Sequence, residues 1–203
     1  MISVPKLERE DSRTRLVEAA EHLMREEGYA AVTSRRVATK AGLKPQLVHY
    51  YFSTMDDLFI AVMERGMGQN NETLSRALAS AEPLQALWEF ALDPKIAVLT
   101  AEFAALANHR KSIRAVIAGY GKQLRDAQIS ATTRVLKASG VSRTVCPPAA
   151  LAIIVDLLAR GLVSEASIGM SKGHAETIAI VKRYLRKLGG VGVRRSQIAE
   201  GSK

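Results

Sequence analysis

Cysteine is almost missing from this chain: of 203 residues only Cys146 carries a thiol, so no disulfide forms within it, which fits a reducing compartment. Cys146 adjoins Pro147 and Pro148 and reads as a residue leading into a helix rather than as a nucleophile. Aromatic residues make up only 5%, and no stretch alternates apolar and polar residues between turns, which argues against a sheet. Long apolar runs are absent as well. The most apolar segment, Leu151 to Ala159, is interrupted by Asp156 and is too short to span a bilayer. The first ten residues, MISVPKLERE, lack the apolar run of a signal peptide, so the expected location is cytoplasmic, with no membrane partner.

Catalytic patterns are missing too. His22, His49, His109 and His174 are far apart, and none stands at zinc-ligand spacing from Cys146 or another histidine. No nucleophile elbow, phosphate-cradling loop or dinucleotide fingerprint occurs. Glu18 and His22 share a helix face and read as a surface ion pair. The expectation is therefore no enzyme, no catalytic residues, no cofactor and no metal.

What is present is helical material. Hydrophobic residues reach 47% and charged residues 24%, with Ala and Leu recurring throughout. The formal net charge of +9 favours polyanionic partners and is unevenly spread. Between Thr33 and Met55 stand Arg35, Arg36, Lys40 and Lys44 with no acid among them; a second basic cluster, from Lys182 to Lys203, has Glu200 as its only acid.

Residues 1–11 read as a polar arm. From Ser12, the apolar positions Leu16, Ala20, Leu23 and Met24 trace one helical face, and Gly28 suits its end. Thr33 is placed as the N-cap of a short helix that turns Val37, Ala38 and Ala41 inward and stops at Gly42. Pro45 suits the first turn of the next helix, Pro45 to Tyr51, which directs Val48 and Phe52 at the core. A long helix from Asp56 to Ala81 follows, then helices near 83–92, 95–107, 110–138, 148–169 and 174–188. The expected fold is all-α: a three-helix helix-turn-helix head, joined by a long fourth helix to a C-terminal helical bundle that dimerises. The expected domains are 1–55 for DNA binding, 56–188 for ligand binding and dimerisation, and a disordered basic tail, 189–203.

The informative span is residues 33–52, TSRRVATKAGLKPQLVHYYF: a short helix, a glycine corner and a second short helix with polar side chains opposite Val48. That arrangement suits a major groove. From about Arg15 to Met63, including EAAEHLMREEGY before this span and Asp56-x-Leu58 after it, the chain resembles the TetR family of regulators. The resemblance implies binding of double-stranded operator DNA. By its residue roles, Pro45 and Gln46 stand at base-reading positions, and Lys44 reaches a guanine edge or a phosphate. His49, Tyr50 and Tyr51 hold the phosphate backbone on one flank, and Thr33, Ser34 and Arg35 on the other. Many family members carry a phosphate-contacting lysine where this chain has Met55.

Beyond Pro83 the resemblance is one of length and helical character, and it implies a dimer and a small-molecule effector of unspecified identity. Leu151, Ile154, Val155, Leu158, Leu162, Ile178, Val181 and Leu185 exceed one intramolecular helix face and are assigned to a four-helix dimer interface. Met67, Trp88, Phe103, His109, Arg114, Tyr120 and Gln123 are assigned to the effector pocket. The functional expectation is a ligand-responsive repressor reading a palindromic operator as a homodimer. Its alternatives are an activator of the same fold, or a basic helical module for protein or membrane association.

Overall fold

The computed structural model describes residues 6–190, with side chains from Glu10 to Gly189. Among the described residues there are nine α-helices, one 3-10 turn and no strand. They are α1 (Lys6–Glu27), the 3-10 turn (Tyr29–Ala31), α2 (Ser34–Ala41), α3 (Pro45–Tyr51), α4 (Met55–Leu78), α5 (Pro83–Leu92), α6 (Pro94–His109), α7 (Lys111–Ala138), α8 (Pro148–Ser167) and α9 (His174–Gly190).

Several helix ends depart from the sequence reading by two residues or more, among them that of α4, which stops at Leu78 rather than Ala81. Helix α1 begins at Lys6 rather than Ser12, because Leu, Glu, Arg and Lys after Pro5 are helix formers and no glycine interrupts them. Helix α9 runs to Gly190 and takes two residues of the stretch assigned to the basic tail; positions 191–203 of that tail lie outside the described residues.

The local signals around the corner act as their chemistry dictates. Thr33 is extended, and its hydroxyl accepts the Arg36 N–H at 3.4 Å, capping α2. Gly42 is left-handed (φ 66°), and the Leu43 N–H returns to the Ala38 carbonyl at 2.9 Å. Pro45 opens α3, where its missing N–H leaves no helical bond unmade. At the start of α4, Asp57 accepts the Thr54 N–H (2.8 Å) while the Thr54 hydroxyl accepts the Asp57 N–H (3.1 Å), a reciprocal cap.

The chain divides into two compact units. The first comprises residues up to 70 together with 98–118, and so includes most of α6 and the start of α7. This differs from a division at 55/56, since compactness follows packing rather than chain order. Its buried side chains include Leu16, Ala20, Leu23 and Met24 of α1, Val37 and Ala38 of α2, Val48 of α3 with Phe52 just after it, Leu58, Phe59 and Val62 of α4, and Leu106 and Ile113. Ion pairs bind α4 to α1: Arg65 reaches Glu18 at 2.6 Å and Glu21 at 3.3 Å.

The second unit comprises 71–97 and the described residues from 119 onward. Leu84, Trp88 and Ala91 of α5 pack on Val155, Ala159 and Leu162 of α8 and Leu185 of α9. Leu74, Leu87, Phe90 and Ala131 form a second cluster. Each large apolar side chain removed from water in this way contributes about 1.5–3 kcal/mol.

Candidate nucleic-acid interface and effector region

The outer surface of the α2–α3 corner is polar, aromatic and basic. Lys44, Pro45, Gln46, His49 and Tyr50 of the recognition segment are exposed, Tyr50 to 62%, while Val48 and Phe52 are buried beneath them. Tyr51 is half-buried and meets Tyr50 edge-on at 5.0 Å between ring centroids. Thr33 and Arg35 are exposed and Ser34 is half-buried. All nine sequence-assigned DNA-binding residues thus stand on one compact stretch of helix, corner and helix. Seven are open to solvent, with Ser34 and Tyr51 partly so.

Only part of the basic charge of this stretch is available to a ligand. Arg36 turns back onto Glu27 of α1, at 2.5 and 2.6 Å from its two carboxylate oxygens, and Lys40 reaches Glu26 at 3.2 Å. The Arg36 hydrogen bond holds the Glu27 carboxyl below its usual range. Arg35 and Lys44 make no ion pair with any described residue and are the cations aimed outward. Sequence reasoning missed Arg13, whose guanidinium lies over the Phe52 ring at 5.3 Å. Nothing in the spacing of Arg13 and Phe52 announces that contact. His22, assigned to a pair with Glu18, instead meets Glu26 at 2.5 Å, one turn farther along α1.

The assigned effector residues are divided between the two units. Met67, Phe103, His109 and Arg114 belong to the first unit, and Trp88, Tyr120 and Gln123 to the second. Trp88 is fully buried in the α5–α8–α9 core, since the largest apolar ring fills the space between facing helices; its indole N–H has no partner. Arg114 closes α6 by donating to the Ala107 and Asn108 carbonyls, at 2.9 and 3.4 Å. His109 is exposed and stacks on Tyr29 at 6.0 Å. A cavity does exist in the second unit, lined by Leu84, Leu87, Gln128, Thr132, Leu151, Ala152, Val155 and Asp156, none of them among the seven. At about 10 Å³ it has room for a single water.

That cavity is chemically distinctive. Gln128 is buried and donates to Asp156 at 3.4 Å, but its carbonyl oxygen has no partner. Asp156, also buried, is bound by Arg125 at 2.8 Å and by Arg160. One carboxylate thus neutralises one of two guanidinium groups, leaving the cluster cationic.

The residues assigned to the dimer interface divide between the core and the surface of the second unit. Val155, Leu162 and Leu185 are buried in the core of the second unit, with Leu151, Ile178 and Val181 packed against them. Val155, Leu162 and Leu185 are thus covered within one protomer, while Leu151, Ile178 and Val181 stay partly open. Of the eight, only Ile154 (60%) and Leu158 (36%) are exposed, and they lie beside Ile153 and Leu157 on the opposite side of α8. On α9 the exposed apolar residues are Ile180 and Tyr184.

A capped helix, a left-handed glycine corner and a short helix presenting polar and aromatic side chains, carried on an all-helical body, define a DNA-binding transcription regulator of the helix-turn-helix class. The model for bacterial regulatory proteins of the tetR family matches residues 16–62, from the middle of α1 through the first two turns of α4. Residues 16–62 are thus a DNA-binding region of the TetR type. The HTH-type transcriptional regulator BetI of Rhizobium meliloti is 27% identical over 196 residues, covering 92% of this chain and 96% of that protein. BetI of Brucella canis is 34% identical over 79 residues, covering 38% of this chain and 40% of its own length. Among solved structures, a putative transcriptional regulator from Saccharomonospora viridis in complex with choline shares the fold at a TM-score of 0.71. It is 19% identical, with 88% of this chain and 95% of that one covered. A TetR transcription regulator from Haloarcula marismortui superposes at 0.67, with 16% identity over 89% of this chain and 97% of that one. No helix among the described residues is long and apolar enough to cross a membrane.

Proposed function

We propose that this regulator is a ligand-responsive repressor that binds a palindromic operator as a homodimer. The exposed stretch from Lys44 to Tyr51 carries the reading: Gln46 meets a base edge, Pro45 packs on a thymine methyl, and Lys44 reaches a guanine or a phosphate. His49, Tyr50 and Tyr51 clamp the backbone on one flank, and Thr33, Ser34 and Arg35 on the other. A seven-residue recognition helix touches few bases, so two copies reading two half-sites supply the affinity. The second copy docks on the exposed apolar face formed by Ile154, Leu157 and Leu158 of α8 with Ile180 and Tyr184 of α9.

The effector site is assigned to the Gln128–Asp156 cavity, which holds one water as it stands and must widen by parting of α5, α7 and α8 to admit a small molecule. An unpaired buried carbonyl oxygen favours a ligand with an N–H or O–H donor, and the net cationic Arg125–Asp156–Arg160 cluster favours a neutral or anionic molecule. It works against a quaternary ammonium such as the choline held by the Saccharomonospora regulator. Helices α4, α6 and α7 each run from one unit into the other, so a ligand that prefers one arrangement of the second unit shifts the population of head positions.

Selection of duplex fragments by the purified full chain tests this reading. The expected product is a pair of inverted half-sites, bound by wild type and lost in the double variant Gln46→Ala, Tyr50→Ala. A chain that prefers no duplex over random competitor overturns it. Choline and small carboxylic acids are then assayed for weakening of operator binding. Release by choline but not by the acids would overturn the charge argument.

A further inference from the structure

The first N–H of the 3-10 turn between α1 and α2 finds its acceptor 73 residues away: Tyr29 N–H donates to Glu102 of α6 at 2.7 Å, in a partly buried site. An ionised acceptor there satisfies a donor that the turn leaves unmade and complements its positive end. Gly28 makes the approach possible. Its φ of 83° suits glycine, and a Cβ at that position would lie 3.3 Å from the same Glu102 oxygen. Seven residues along, His109 closes α6 and stacks its ring on Tyr29.

The other end of the helix-turn-helix is tied to the same corner. Asp56, in the first turn of α4, accepts from Arg110 at 2.6 Å and from Ser112, and Arg110 also lies over the Phe59 ring at 5.4 Å. Arg114 stiffens the corner by capping α6. All these groups belong to the first compact unit. The segment from Tyr29 to Asp56, which holds α2 and α3, is therefore fastened at both ends to the junction of α6 and α7.

We infer that Glu102 is a positioning residue for operator recognition: its carboxylate fixes the lead into α2, and with the Arg110–Asp56 tie it sets the orientation in which α3 meets the groove. The inference rests on the operator-binding reading above. In a dimer, the orientation of each head also sets which half-site spacing is matched. Losing the tie therefore loosens spacing selectivity, which a general loss of stability does not do.

The experiment uses the full chain and its selected operator, with versions whose spacer is one base pair longer or shorter. Operator affinity and thermal midpoint are measured for wild type, Glu102→Gln and Glu102→Ala. Wild type is expected to prefer one spacing. Glu102→Ala should bind the native spacing on the order of tenfold more weakly, as loss of a charge-assisted hydrogen bond implies, and discriminate less among spacers. Glu102→Gln should recover most of both, because its amide oxygen still accepts the Tyr29 N–H. The inference is overturned if Glu102→Ala keeps wild-type affinity and spacing preference. It is equally overturned if both variants lose affinity in step with their melting midpoints while spacing preference persists. Wild type that selects no duplex sinks the operator reading itself, and this inference with it.

Discussion

Met55 is the residue at which this chain departs from the family's usual phosphate anchor. It begins α4, half-buried, and Arg36, which could replace the missing lysine charge, is occupied by Glu27. Met55→Lys should therefore add one phosphate contact, making the dependence of log affinity on log salt steeper by about 0.9. Operator titrations between low and moderate salt measure this; an unchanged slope refutes it. Asp56 makes a different prediction. Hydrogen bonding from Ser112, then from Arg110, holds its carboxyl below the ordinary aspartate range. A group depressed in the folded state stabilises fully above the unfolded value, and that stability is lost as pH falls through the folded one. Acid titration of stability should accordingly show a component, lost below about pH 4, that Asp56→Asn lacks. Identical acid limbs in the two proteins would contradict it.

Helix ends around the corner are where single residues have the largest local effect. Gly42 is left-handed, and a Cβ there would stand 3.3 Å from the Arg15 guanidinium, which donates to the Ala41 carbonyl at 2.6 Å. Gly42→Ala should cost about 1–2 kcal/mol in thermal or denaturant unfolding, mainly through the backbone conformation. Gly42→Asn should cost less, because asparagine tolerates that region. Equal stability of Gly42→Ala and wild type would show that the corner relaxes. The caps at Thr33, Gly42 and Pro45 were legible because each acts on groups within four residues of itself. The first turns of α1 were not, because the sequence around Lys6 carries neither a cap residue nor a strong apolar stripe.

The assembly predictions turn on which face of α8 is outward. Leu157→Glu places a charge on the exposed face and should shift sedimentation from dimer toward monomer while the protomer stays folded. Leu162→Ala removes a buried side chain from the α5–α8–α9 core and should lower stability by about 2–5 kcal/mol without directly altering the partner face. A reversed pattern, with Leu162→Ala dissociating the dimer and Leu157→Glu leaving it intact, would place the interface on the side now assigned to the core. Periodicity did not separate the two faces. Helix α8 is apolar around most of its circumference, so Val155 and Leu157 look alike until the position of α5 is known.

Twenty consecutive residues, from Thr33 to Phe52, were enough to specify the helix-turn-helix, and the composition of the whole chain enough to specify helices. Capping, left-handed glycine and proline geometry act over a few residues and leave their mark in local order. The tether from Glu102 to Tyr29, the turning of Arg36 onto Glu27 and the enclosure of Trp88 became visible only in three dimensions. Contacts between groups 9 to 73 residues apart in the chain, or across facing helices, depend on how whole helices pack, and no spacing rule along the chain encodes them.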